Sequence, residues 1–174
     1  MKRRLVVGFL VLTGLVASAP AGDLQACGDK FLVISRGTRY MRPAFRRPAN
    51  ILVYSDASST LTQSLGNVPV AATLSKAGHR TTIASGPAEL DNALRKGGFD
   101  LIVADLADGM TVQSRFQSGT GPLVLPVAFK PTKADENQAR KSFKALVKGP
   151  MKSQQFLDVV DGAVEWVDKH KSKP

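Results

Sequence analysis

From Asn50 onward, short apolar runs of β-forming residues alternate with longer stretches of helical periodicity. No other feature constrains the fold of this chain as strongly. The β-type runs cover residues 51–55, 80–84, 101–104, 123–128 and 145–148. Between successive runs lie connections long enough to carry a helix back across a sheet. Strands joined this way run parallel, with right-handed crossovers and helices on both faces. The alternation therefore predicts one three-layer α/β domain of five strands and five helices.

The helical stretches carry their own start and stop signals. Residues 61–77 read as a helix broken by Gly66 and Pro69. Ser85-Gly86-Pro87 opens the next helix, with Ser85 or Gly86 at the cap and Pro87 in the first turn. Leu90, Ala93 and Leu94 share one face of it, and Gly97-Gly98 ends it. A short helix is expected over 110–116, a polar one over 133–143 and a final one over 153–169. In the last, Phe156, Leu157, Val159, Val160, Ala163, Val164, Trp166 and Val167 form a wide apolar face suited to a core. Pro126 lacks a ladder donor and predicts a strand end or a bulge. Phe31-Leu32-Val33-Ile34 offers a further edge strand, and Arg36-Gly37-Thr38-Arg39 a turn after it. No internal repeat is visible.

Two of the strands end on acids. Ile51-Leu52-Val53-Tyr54-Ser55-Asp56 closes on Asp56, and Phe99-Asp100-Leu101-Ile102-Val103-Ala104-Asp105 opens and closes on aspartate. Ala145-Leu146-Val147-Lys148 closes on a lysine. The carboxyl ends of strands in an open α/β sheet are where ligands and chemistry gather. Asp56, Asp105 and Lys148 are therefore the candidate site. A hard divalent cation, Mg²⁺ or Ca²⁺, is the metal that paired carboxylates favour; the alternative is that both acids cap the turns after their strands and Lys148 is their counter-ion. No cofactor is otherwise implied. His79 and His170 have no Cys or His at ligand spacing, and no nucleophile elbow or phosphate-binding glycine loop is present.

The N-terminus has a different character. Met1-Lys2-Arg3-Arg4 precedes an apolar run over 5–16 and the small residues Ala17-Ser18-Ala19-Pro20-Ala21. This order is the secretory signal pattern, with cleavage after Ala21, and the run is short for a membrane span. Leu24-Gln25-Ala26-Cys27 gives a lipoprotein anchored at Cys27 as an alternative, and an uncleaved anchor with a cytoplasmic body as another. The expected location is periplasmic or secreted, with no integral membrane domain after cleavage. A lone cysteine makes no internal disulfide, so the fold rests on its core.

Removal of the signal leaves about 150 residues, enough for one domain. Residues 22–49 then form a basic extension, 50–170 the α/β domain and 171–174 a basic tail. Lys2, Arg3 and Arg4 supply three of the formal charges of +10, which leaves +7 on the remainder. Such a charge attracts acidic partners: anionic lipid or envelope polymer, or an acidic protein face. Nucleic acid is not expected, since none of its short binding signatures is present. Arg36, Arg39, Arg42, Arg46 and Arg47 crowd the extension. They make either a docking arm for an anionic surface or a solvated linker punctuated by Pro43 and Pro48.

From Asn50 to Lys169 the chain resembles the receiver domain of bacterial response regulators. The resemblance rests on the runs ending at Asp56 and Asp105, on the strand ending at Lys148, on the segment from Ala77 to Gly86, and on the last helix. It implies a flavodoxin-like sandwich with a five-stranded parallel sheet of order 2-1-3-4-5. It also implies Asp105 as phosphoacceptor, Asp56 as a magnesium ligand and Lys148 as the charge partner of the acyl phosphate. A carboxylate attacks phosphorus only where a cation and an ammonium neutralise the transferring group. The chain departs from the family pattern at Ser55, where an acid is usual. It departs again at Val127, where the hydroxyl that senses phosphorylation is usual, and at Gly149, which separates Lys148 from Pro150.

These departures predict a degenerate, non-enzymatic receiver that serves as a protein-interaction module in the envelope or outside the cell. One alternative is a phosphorylatable receiver held at the cytoplasmic face. Another is a binder of anionic surfaces through the arginine arm.

Overall fold

The structure, a computed structural model, describes residues 32–34, 47–116 and 121–171. The signal segment, Cys27, and Arg36, Arg39, Arg42 and Arg46 of the arm lie outside the described residues. Six strands form one parallel sheet: β1 (Leu32–Ile34), β2 (Asn50–Tyr54), β3 (Arg80–Ala84), β4 (Leu101–Asp105), β5 (Leu123–Phe129) and β6 (Ala145–Gly149). Their order is β1-β6-β5-β4-β2-β3. From β2 to β6 this is the expected 2-1-3-4-5 arrangement, and β1 is the additional edge strand, laid parallel on β6.

Alternate residues of the central strands feed two separate cores, because both faces of a parallel sheet are covered. Ile51, Val53, Leu101, Val103, Leu125, Val127 and Val147 pack against α1 (Leu61–Ser64), α2 (Val70–Lys76) and α6 (Ser153–Lys171). Leu52, Tyr54, Ile102, Ala104, Val124, Ala128 and Leu146 pack against α3 (Pro87–Lys96), α4 (Leu106–Ser114) and α5 (Lys133–Ser142). α6 brings Phe156, Val159, Val160, Ala163 and Val164 to the first core, most of the face its spacing predicted, while Trp166 is half-buried and stacks on His170. No helix among the described residues is long and apolar enough to cross a membrane.

Local signals set the helix ends. The break at Gly66 and Pro69 separates α1 from α2, with Gly66 and Asn67 both at positive φ. Thr132 and Asp135 close a capping box on α5, which explains how so polar a segment starts a helix.

Two expectations change. The helix expected over 110–116 begins earlier, at Leu106, because Asp105 itself is its N-cap and the chain passes directly from strand to helix. Pro126 does not end β5; it lies inside the strand, opposite Ala104 of β4. Leu123 N–H donates to Asp100 O, just before β4, and Lys130 N–H to Gly149 O of β6, so alternation aims position 126 at β6. Pairing with β6 begins one residue later, at Val127, where the missing donor costs no ladder bond.

Candidate functional site

At the carboxyl end of the sheet, β2 and β4 are neighbours, and their register places Ser55 level with Asp105 and Asp56 one residue beyond. Asp105 is largely buried, at 9% exposure. Its carboxylate is occupied by hydrogen bonds. Oδ2 accepts from Thr60 N–H at 2.7 Å and from the Thr60 hydroxyl at 2.6 Å. Oδ1 accepts from Ala107 N–H at 3.3 Å, the capping bond of α4. Asp56 is exposed, and its Oδ1 accepts from Ala57 N–H at 2.7 Å. Asp105 thus caps α4, as the capping alternative describes, while Asp56 bonds the N–H of the residue that follows it.

Lys148 stands half-buried at the end of β6, and the ion pair it makes is with Glu136 of α5, at 2.6 Å. The structure thereby brings Asp56 and Asp105 to one rim and engages Lys148 with a helix on that side of the sheet. Val127 is fully buried in β5, directly opposite Asp105 in the ladder, so no hydroxyl faces the acid from that strand. The hydroxyl that does reach Asp105 comes from Thr60, in the loop after β2. Beyond Lys148, the Gly149–Pro150 peptide bond is cis. Gly149 is required there by a close approach: a Cβ would stand 2.6 Å from the Cα and the carbonyl oxygen of Ser64 in α1.

A third acid joins the rim. Asp108, in the first turn of α4, has its pKa raised by burial and by the nearby charges of Asp105 and Asp56. Tyr54, the last residue of β2, is raised by burial and then by Asp108 and Asp56. Three carboxylates therefore share one negative potential, and among the described residues no three His, Cys, Asp or Glu side chains converge on a metal position. A cation held by Asp56 and Asp105 would have to compete with the two Thr60 hydrogens at Oδ2 and the Ala107 N–H at Oδ1. A hard cation there would take its remaining oxygens from backbone carbonyls and water.

Sequence reasoning did not find Thr60, Asp108 or Glu136. Only the fold brings Thr60 to an acid 45 residues away. Of the arginine arm, Arg47 is described, and it bonds Asp168 near the end of α6.

Solved structures share this architecture. NtrX from Brucella abortus, crystallised with ADP, superposes with a TM-score of 0.59 and 20% identity over 72% of this chain. The match spans 28% of NtrX, so this chain corresponds to a minor part of that protein. The REC domain of AraT, a response regulator from Geobacillus stearothermophilus, gives 0.54 and 13% over 72% of this chain and all of that domain. Chemotaxis response regulator CheY4 of Vibrio cholerae gives 0.53 and 19% over 67% of this chain and 99% of that one.

The fold is that of a response-regulator receiver domain. No family model and no curated protein matches the sequence. At the carboxyl ends of the strands Asp56 and Asp105 stand with Ser55 and Val127 beside them, and Lys148 is bound to Glu136.

Proposed function

We propose that this chain is a receiver-shaped protein-interaction module that acts without phosphotransfer, in the envelope or outside the cell. The observation that carries the reading is the state of Asp105. A phosphoacceptor presents an oxygen to phosphorus, with a cation and an ammonium beside it. Here Oδ2 accepts two hydrogen bonds from Thr60, Oδ1 caps α4, and Lys148 is bound to Glu136. Val127 supplies no hydroxyl to sense a modification. The basic, apolar and small-residue order of the first residues supports a location away from cytoplasmic phosphodonors.

The interaction face of this reading is formed by α5, β6 and the start of α6. Lys133, Arg140, Lys141, Lys144 and Lys152 are exposed on it, which suits a partner with an acidic face. Crosslinking in cells, followed by fractionation and recovery of the protein, tests the proposal. The wild type and Asp105→Asn should recover the same envelope partner. A partner lost with Asp105→Asn, or a protein found wholly in the cytoplasm, would contradict it.

A further inference from the structure

The two edges of the sheet differ. At one, the edge strand is β1, three residues long and paired with β6. At the other, β3 ends the sheet and pairs only with β2 among the described residues. An open edge is a template for another strand, and proteins commonly blunt it with Lys, Pro or a bulge. β3 reads Arg-Thr-Thr-Ile-Ala, with unbroken register against β2, no Pro, no bulge and a single charge, Arg80, at its start. Ile83 on this strand is 57% exposed, more than any other large apolar side chain among the described residues.

Backbone direction decides what the edge offers. Arg80 N–H donates to Ala49 O, and Ala84 O accepts from Ser55 N–H. Residues 80, 82 and 84 therefore turn their polar groups toward β2, and the N–H and C=O of Thr81 and Ile83 point outward. The side chains alternate as well. Thr82 and Ala84 lie beside Leu52 and Tyr54 on the face covered by α3, and Arg80 shares that face.

We infer that this edge is a self-pairing surface, on which β3 of a second copy docks antiparallel about a two-fold axis through Thr82. In that register Thr81 of each copy faces Ile83 of the other, and their outward groups exchange both hydrogen bonds on either side of the axis. Arg80 faces Ala84, and Thr82 faces Thr82. Charge selects the occupant. Glu89, in the first turn of α3, places Oε2 2.7 Å from Ser85 N–H, just beyond Ala84 and at the opposite end of β3 from Arg80. Arg80 and Glu89 are both exposed and lie on the α3 side of the sheet. A cation at the start of the strand and a carboxylate at its end are complementary to the same strand reversed, so each Arg80 meets the other copy's Glu89. An unrelated peptide has no reason to match both ends.

Sedimentation velocity of the purified protein over a concentration series tests this directly. The wild type is expected to dimerise. Arg80→Glu and Glu89→Arg each set like charges together at two symmetric contacts, and each should weaken the dimer by about tenfold or more. Mixed in equal amounts, the two variants regain opposite charges at both contacts and should form a mixed dimer. A wild type that stays monomeric overturns the inference, including the case in which the chain's own first residues cover β3. A dimer that neither variant weakens overturns it too.

Discussion

The two ends of the sheet handle buried charge in different ways. At the amino end, His79 lies against α6 with its Nε2 3.5 Å from Asp161 Oδ1, and both side chains are at most 3% exposed. The Nδ1 of His79 accepts from Ala49 N–H at 3.3 Å, which ties the entry to β2 to the entry to β3. At the carboxyl end, Asp105 is held by Thr60 and by the first turn of α4, with Asp56 and Asp108 nearby. The amino end joins an imidazole to a carboxylate from a distant helix, and it locks the body. The carboxyl end gathers like charges and satisfies the most buried of them with hydrogen-bond donors. The difference teaches that a buried carboxylate can be satisfied by an imidazole from across the fold or by backbone and hydroxyl donors gathered at its own strand end.

Substitutions can break this contrast. The largest effect is expected at the amino end. His79→Ala leaves the Asp161 carboxylate in a cavity without its imidazole, and should cost about 3 kcal/mol in urea unfolding. A loss near zero would show that the pair does not lock the body. At the carboxyl end, Thr60→Val removes one hydroxyl bond to Asp105 and leaves the Thr60 N–H bond in place. A loss of about 1–2 kcal/mol is expected by the same measurement.

The smallest effect is at Asp108, and it depends on pH. Its folded pKa is raised, first by burial and then by Asp105 and Asp56, so its charged form is the penalised one. The favourable contribution of the protonated form is complete below the ordinary carboxylate range and is lost as pH rises through the raised value. Asp108→Asn should therefore stabilise the protein slightly at neutral pH, and the gain should vanish in acid. A gain that persists in acid would point to a cause other than charge.

Much of the fold was legible because its signals are local. The apolar runs, the break at Gly66 and Pro69, and the Pro87 and Gly97 boundaries of α3 all act within a few residues. Even the short run at Leu32–Ile34 declared its strand. The start of α4 was hidden because Gly109 sits inside it. A Cβ at Gly109 would come within 3.1 Å of the Phe143 ring, so long-range packing asks for glycine there. Pro126 misled for a related reason: a proline is tolerated inside a strand where the neighbouring pairing has not yet begun.

The site was legible only in part. Asp56 and Asp105 announced themselves by ending strands. The partners did not. Thr60 and Glu136 reach Asp105 and Lys148 through the fold, and no spacing in the chain links them.

The measurement that tests the central claim most directly is phosphoryl labelling of the purified protein. The protein is incubated with acetyl phosphate and millimolar Mg²⁺, and its intact mass is followed alongside that of Asp105→Asn. The account predicts no phosphoryl adduct on either protein, because Thr60 and Ala107 hold the Asp105 carboxylate and Lys148 is bound to Glu136. A Mg²⁺-dependent adduct on the wild type that Asp105→Asn abolishes would contradict it, and would make Asp105 a working phosphoacceptor.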